Sequence, residues 1–134
     1  MRLTVHVDGG ARGNPGPAAV GVAIYDEDGA LIDETGQTIG HATNNVAEYR
    51  AMMLGVERAK AIGGDDLDLV GDSELIVRQV KGEWRVKDAG LKPLHAELRR
   101  MLAEFPSWSI RHVRREQNTE ADRLVNEALD AARS

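Results

Sequence analysis

Leu3-Thr4-Val5-His6-Val7-Asp8-Gly9-Gly10 decides the fold, together with Ala11-Arg12-Gly13-Asn14-Pro15-Gly16-Pro17, into which it runs. Apolar Leu3, Val5 and Val7 alternate with Thr4 and His6, the period of a strand with one buried face. Asp8 falls at the strand end, where the glycines begin. A carboxylate at the tip of a central strand, followed by a loop whose backbone a ligand can approach closely, suits metal or phosphate chemistry. Asp8-Gly9 also reads as a plain turn signal. Whether Asp8 has partners is decided by the rest of the chain.

Outward from that stretch, Ala18 to Asp26 reads as a second strand, Glu27-Asp28-Gly29 as a tight turn, and Ala30 to Ile39 as a third strand. The three form an antiparallel meander. Asn45 is expected to open a helix that runs to about Ile62 and stops at Gly63-Gly64. Its apolar stripe is read as Ala47, Ala51, Leu54 and Arg58, broadened by Tyr49, Met52, Met53 and Val56. Leu67 to Val70 predicts a fourth strand and Ser73 to Val80 a short helix. A polar segment follows from Lys81 to Gly90. Leu91 to Phe105 reads as a helix, Trp108 to Val113 as a fifth strand, and Thr119 to Ala132 as a closing amphipathic helix. A meander followed by strand and helix in alternation predicts an α/β domain, a mixed sheet with helices on its faces.

The 134 residues are expected to form one domain with a proper core, and 42% hydrophobic with 29% charged residues is ordinary globular composition. The absence of cysteine excludes a disulfide framework, a thiolate metal site and a cysteine nucleophile. No apolar run reaches membrane-spanning length and Met1-Arg2-Leu3 enters a strand directly, so the cytoplasm is the expected location. A net charge of −5 argues against nucleic acid at first sight. Carboxylates clustered around divalent cations would cancel that objection.

Three further acids stand at junctions: Glu48 in the first turn of the long helix, Asp72 at the tip of the fourth strand, and Asp122 in the first turn of the last helix. If the first and fourth strands are adjacent and parallel, Asp8 and Asp72 share the carboxyl edge where open α/β sheets bind ligands. Each acid also has a capping reading. Asn45-Val46-Ala47-Glu48 resembles a capping box, Asp72 could be an N-cap, and Thr119-Glu120-Ala121-Asp122 fits a capping pattern. Were the four to converge, they would need protons or cations to neutralise them. Oxygen ligands without His or Cys select Mg²⁺ or Mn²⁺, and two such ions about 3.5–4 Å apart serve in-line phosphoryl displacement.

Asp8-Gly9-Gly10, Gly13-Asn14-Pro15-Gly16-Pro17, Thr43-Asn44-Asn45 with Glu48, Gly71-Asp72-Ser73 and Asn118-Thr119-Glu120-Ala121-Asp122, in that order, resemble the type 1 ribonuclease H family. The resemblance implies a ribonuclease H-like fold, with five strands in spatial order 3-2-1-4-5 flanked by helices. It implies endonucleolytic cleavage of the RNA strand of an RNA/DNA hybrid, leaving 5′-phosphate and 3′-hydroxyl ends. Double-stranded RNA is a second candidate substrate, and a monomer is expected. The family's metal ligands carry over onto Asp8, Glu48, Asp72 and Asp122, with Asp8 bridging two ions, Mg²⁺ or Mn²⁺. Asn14, Thr43, Asn44 and Asn45 match positions that touch the nucleic acid.

Three departures stand out. The loop before the last acid lacks the histidine many members carry, and Arg115 is the substitute. Glu74 stands where members often have an uncharged base-contacting residue. The basic protrusion is abbreviated to Lys81, Trp84, Arg85 and Lys87; there Trp84 is expected to stack on sugar or base, or else to cap the core, with Lys87 beside it. Rival readings are a DNA junction nuclease of the same fold, a hybrid-binding module without activity, and a nucleotide-binding protein. For the last, Gly9 to Gly16 lacks a Gly-Lys-Ser/Thr ending.

Overall fold

The structure is a computed structural model and describes residues 1–133. Five strands and four helices follow one another as β1 (Arg2–Ala11), β2 (Gly16–Tyr25), β3 (Leu31–Ala42), α1 (Asn44–Ile62), β4 (Asp66–Gly71), α2 (Glu74–Lys81), α3 (Lys92–Leu102), β5 (Ser107–His112) and α4 (Thr119–Arg133), with a 3₁₀ turn at Arg115–Gln117. The sheet order is β3-β2-β1-β4-β5. β1, β2 and β3 pair antiparallel, while β4 runs parallel to β1 and β5 parallel to β4. This is the order the resemblance implied.

Alternation along β1 builds the two faces. Leu3, Val5 and Val7 join Val20, Val22 and Ile24 of β2 in the main core, which α1 covers. Ala19 faces the other way, against Val125 and Leu129 of α4. Both helices approach the sheet through residues that lack side chains. A Cβ at Gly55 of α1 would stand 2.8 Å from methyls of Val5 and Val7. One at Gly21 or Gly36 would stand 2.3 or 2.6 Å from the carbonyl oxygens of Ala121 and Leu124 in α4. The buried stripe of α1 therefore continues from Ala47 and Ala51 through Gly55 and Ala59. The expected continuation through Leu54 and Arg58 fails: Leu54 is only partly buried, and Arg58 reaches Asp33 of β3 at 2.7 Å. Close packing needs small residues four apart, and that spacing decides the register.

Two other boundaries differ in ways that matter for the acids. β1 does not end at Asp8; it runs on to Ala11, because β2 goes on pairing with it. α1 opens at Asn44, not Asn45. Thr43 is its cap, with Oγ1 accepting from Val46 N–H at 3.2 Å, and Gly63 in the left-handed region (φ 101°) ends it. Among the described residues, no helix is long and apolar enough to cross a membrane.

Candidate active site

The last pair in the parallel ladder between β1 and β4 is His6 with Val70. Beyond it β1 continues on β2 alone, carrying Asp8 opposite Gly21. Asp72 follows directly on Gly71, the last residue of β4. Both carboxylates thus stand at the carboxyl edge of the parallel pair, where the ladder has run out.

Glu48 comes down from α1. Its position past the first helical turn excludes the capping-box reading. Instead Oε1 accepts a hydrogen bond from Gly9 N–H at 2.7 Å, while Oε2 is buried and has no partner. That bond depends on how near β1 comes to α1, and a Cβ on Gly9 would lie 2.2 Å from the carbonyl carbon of Ala47. Asp72 is not a cap either: the cap of α2 is Ser73, whose Oγ accepts from Ile76 N–H. One oxygen each of Asp8, Glu48 and Asp72 lies within 4.8 Å of the others. Asp122 does sit in the first turn of α4. It lines the same cleft, but its Oδ1 accepts from Arg115 Nη2 at 3.3 Å and lies outside that triad.

Burial and mutual repulsion set the electrostatics. Burial, with the charges of Asp72 and Asp122, pushes the Asp8 carboxyl up to about 7, although Glu48 pulls the other way as a hydrogen-bond partner. Burial and then the Asp8 charge raise Glu48 well above the usual range. Asp72 is raised by burial, against the pull of the Arg115 guanidinium and the Asn118 amide. An unpartnered buried carboxylate oxygen among like charges is costly unless a cation joins it. The all-oxygen donor set fits a hard divalent ion.

These shifts have a thermodynamic consequence. Between about pH 4 and pH 7 the folded chain holds a proton on Asp8 that the unfolded chain has released, so stability falls as pH rises through that window. Asp33, held low by its bond to Arg58, works in the opposite sense only below that range. In EDTA, Tm is therefore expected to be about 5 °C higher at pH 5.5 than at pH 7.5. Asp8→Asn should flatten the slope, and a wild-type Tm that rises over the same interval would contradict the assignment.

The other sequence-derived candidates divide. Asn44 and Asn45 line the cleft. Asn44 Oδ1 accepts from Ala11 N–H at 2.8 Å and Asn14 Oδ1 from Asn44 N–H at 3.0 Å, which ties the β1–β2 loop to the start of α1. Thr43 is the helix cap beside them. Trp84 and Lys87 lie past α2 and do not line the cleft. The exposed Trp84 ring has the Arg78 guanidinium 5.1 Å from its centroid, so it does not cap the core.

Residue-by-residue reading missed two polar groups here. Arg12 lines the cleft, with Nη2 on Asp130 at 2.7 Å and Nη1 buried without a partner. Asn118 is 1% exposed and bonds Val7 and His6. In the sequence it opens the motif that ends in Asp122, and by itself an Asn ahead of a helix reads as a cap.

A family model described as reverse transcriptase-like matches residues 6–128. The chain is 47% identical over 131 residues to a ribonuclease HI of Halobacterium salinarum, covering 98% of this chain and 66% of that protein. It spans about a third (36%) of the length of its mycobacterial relatives. The crystal structure of ribonuclease H1 from Halobacterium salinarum superposes with a TM-score of 0.96 at 46% identity, covering 98% and 99% of the two chains. LC11 ribonuclease H1, solved in complex with an RNA/DNA hybrid, gives 0.93 at 43% identity, covering 98% and 99%.

A mixed sheet in this order, with carboxylates gathered where β1 outruns β4, defines a ribonuclease H-like α/β domain with an acidic site suited to metal. The chain belongs to the type 1 ribonuclease H family, whose enzymes are divalent-metal-dependent endonucleases.

Proposed function

We propose that this chain, working as a single monomeric domain over residues 1–134 in the cytoplasm, hydrolyses the RNA strand of RNA/DNA hybrids to 5′-phosphate and 3′-hydroxyl ends. The observation that carries the reading is the buried, unpartnered Glu48 Oε2 beside Asp8 and Asp72. Asp8, Glu48, Asp72 and Asp122 would hold two ions, Mg²⁺ or Mn²⁺. Bound there, the ions make an attacking water more acidic and offset charge on the departing 3′-oxygen.

The chain's own residues do the rest. Glu48 is fixed through Gly9 N–H, which leaves its second oxygen available to hold a cation. Arg115 holds Asp122. Because a guanidinium keeps its proton, Arg115 acts by charge on the scissile phosphate and not as a proton relay. With their side-chain oxygens engaged on backbone N–H groups, Asn44 and Asn14 present amide donors, as does Asn45, to phosphates or 2′-hydroxyls. The Thr43 hydroxyl retains its proton for the same purpose. Trp84, with Lys87 and Arg85, grips the duplex away from the cleft.

Matched RNA/DNA, RNA/RNA and DNA/DNA duplexes in Mg²⁺ or Mn²⁺ test this. Cleavage of RNA within the hybrid is expected, DNA/DNA should stay intact, and the RNA/RNA lane decides whether double-stranded RNA is a substrate. Cutting of a DNA junction with hybrid left whole would reverse the reading. Because lysine and arginine side chains grip the duplex through its phosphates, hybrid affinity should fall as salt is raised. Lys87→Ala should lessen the slope of log K against log salt by about 0.9, read by anisotropy. An unchanged slope would remove Lys87 from the interface.

A further inference from the structure

Val7 is the first residue of β1 past the parallel ladder with β4, whose last pair is His6 with Val70. Its carbonyl oxygen is taken by the side chain of Asn118, at 2.8 Å. A carbonyl can only accept, so the group facing it must be the amide nitrogen of Asn118. The amide oxygen is then left for His6, 3.0 Å away, and His6 must carry its proton on Nδ1 to donate it. The Asn118 amide also sits by Asp72 and offsets part of the upward push that burial gives its carboxyl. The Asn118 backbone carbonyl accepts from Asp122 N–H at 3.1 Å, which anchors the first turn of α4. One buried residue therefore meets β1 next to Asp8 through its side chain and the helix that carries Asp122 through its backbone, beside the Asp72 that follows β4. Its ring partner has an aromatic neighbour: Tyr25 stands edge-on to His6, with centroids 5.4 Å apart.

We propose that Asn118 is a positioning residue for the metal site: it takes over from the backbone ladder where β4 ends and fixes the gap between Asp8 and Asp72 that the cations occupy. This rests on the metal reading of the four carboxylates given above. Hydrogen-bond partners of ligating groups fix their orientation, and losing them costs about 10–100-fold in metal affinity. A purely structural role predicts something else, namely lower stability with unchanged affinity in the molecules that remain folded.

The test is calorimetric titration of the full chain with Mn²⁺, alongside circular dichroism and Tm in EDTA. Asn118→Ala should fold, lose stability, and bind Mn²⁺ about tenfold more weakly than wild type. Asn118→Asp, which keeps the acceptor for His6 but turns a second acceptor toward Val7 and Asp72, should lose at least as much. In hybrid cleavage, Asn118→Ala should shift the Mn²⁺ dependence upward while kcat at saturating metal recovers toward wild type. A folded Asn118→Ala with Mn²⁺ affinity within twofold of wild type overturns the proposal. Should that variant fail to fold, His6→Phe decides: it leaves the Val7 and Asp122 bonds in place but releases the amide oxygen. It should weaken Mn²⁺ binding about threefold, and unchanged affinity overturns the proposal. Absence of Mn²⁺ binding by wild type would instead sink the metal reading itself.

Discussion

Asp8→Asn is expected to lower hybrid cleavage in Mg²⁺ by about three orders of magnitude or more while leaving the fold intact. The substitution keeps the shape of the side chain and removes one negative charge from the point where β1, α1 and the residue following β4 bring three carboxylates within 4.8 Å of each other. An amide is a much poorer ligand for a hard cation, so a site built on the Asp8 carboxylate loses metal affinity. Stability should move the other way. Asp8 is buried among like charges that raise its carboxyl to about 7. Neutralising it should therefore stabilise the EDTA-treated protein at pH 8 by about 1–2 kcal/mol. Gain of stability with loss of activity is the signature of a residue retained for chemistry. Matched thermal melts and a gel assay on a hybrid read both halves. Unchanged cutting would refute the site, and lower stability would refute the electrostatics.

Gly9→Ala should have the largest effect on stability, about 3 kcal/mol or a Tm lower by roughly 10 °C. The added methyl would stand 2.2 Å from both the carbonyl carbon and oxygen of Ala47 and 2.6 Å from the nitrogen of Glu48. All three are backbone atoms, so no rotamer change relieves the overlap. β1 and α1 must separate, and the Gly9 N–H to Glu48 bond goes with them. Hybrid cleavage should fall as well, because the carboxylate that bond holds is freed to turn. Gly10→Ala is the control. Its methyl would meet only the Val125 side chain, at 3.7 Å, an ordinary contact, and Tm should hold within about 2 °C. Equal melting of the two variants would show that the approach of strand to helix is not what Gly9 provides.

The same position shows where sequence reading succeeds and where it stops. Alternation in Leu3, Val5 and Val7 identifies β1 and its buried face, since side-chain direction in a strand is local geometry. Turn signals locate the hairpins and the glycines that end α1 for a similar reason. Gly9, by contrast, reads as the start of a loop open to a ligand, whereas it is a strand residue pressed against a helix. Nothing within its neighbourhood in the chain records what lies above it. Glu48 is subtler. Asn45-Val46-Ala47-Glu48 has the spacing of a capping box, and only the placement of the cap two residues earlier, at Thr43, frees the carboxylate to face β1. Convergence of the acids was readable as a family pattern, not from spacing. Asn118 stood within the family motif, but its bonds were not readable, because its partners lie 111 and 112 residues away.

Asp122 rides on α4, and α4 rests on β2 and β3 where Gly21 and Gly36 present bare backbone to the carbonyls of Ala121 and Leu124. The height of that carboxylate over the sheet is thus set by two residues that contribute no atom to the cleft. Anyone transplanting the constellation to another scaffold would have to bring this glycine floor along. Copying the acids alone would leave the last of them on a helix lifted by the thickness of a methyl group, its carboxylate farther from the others.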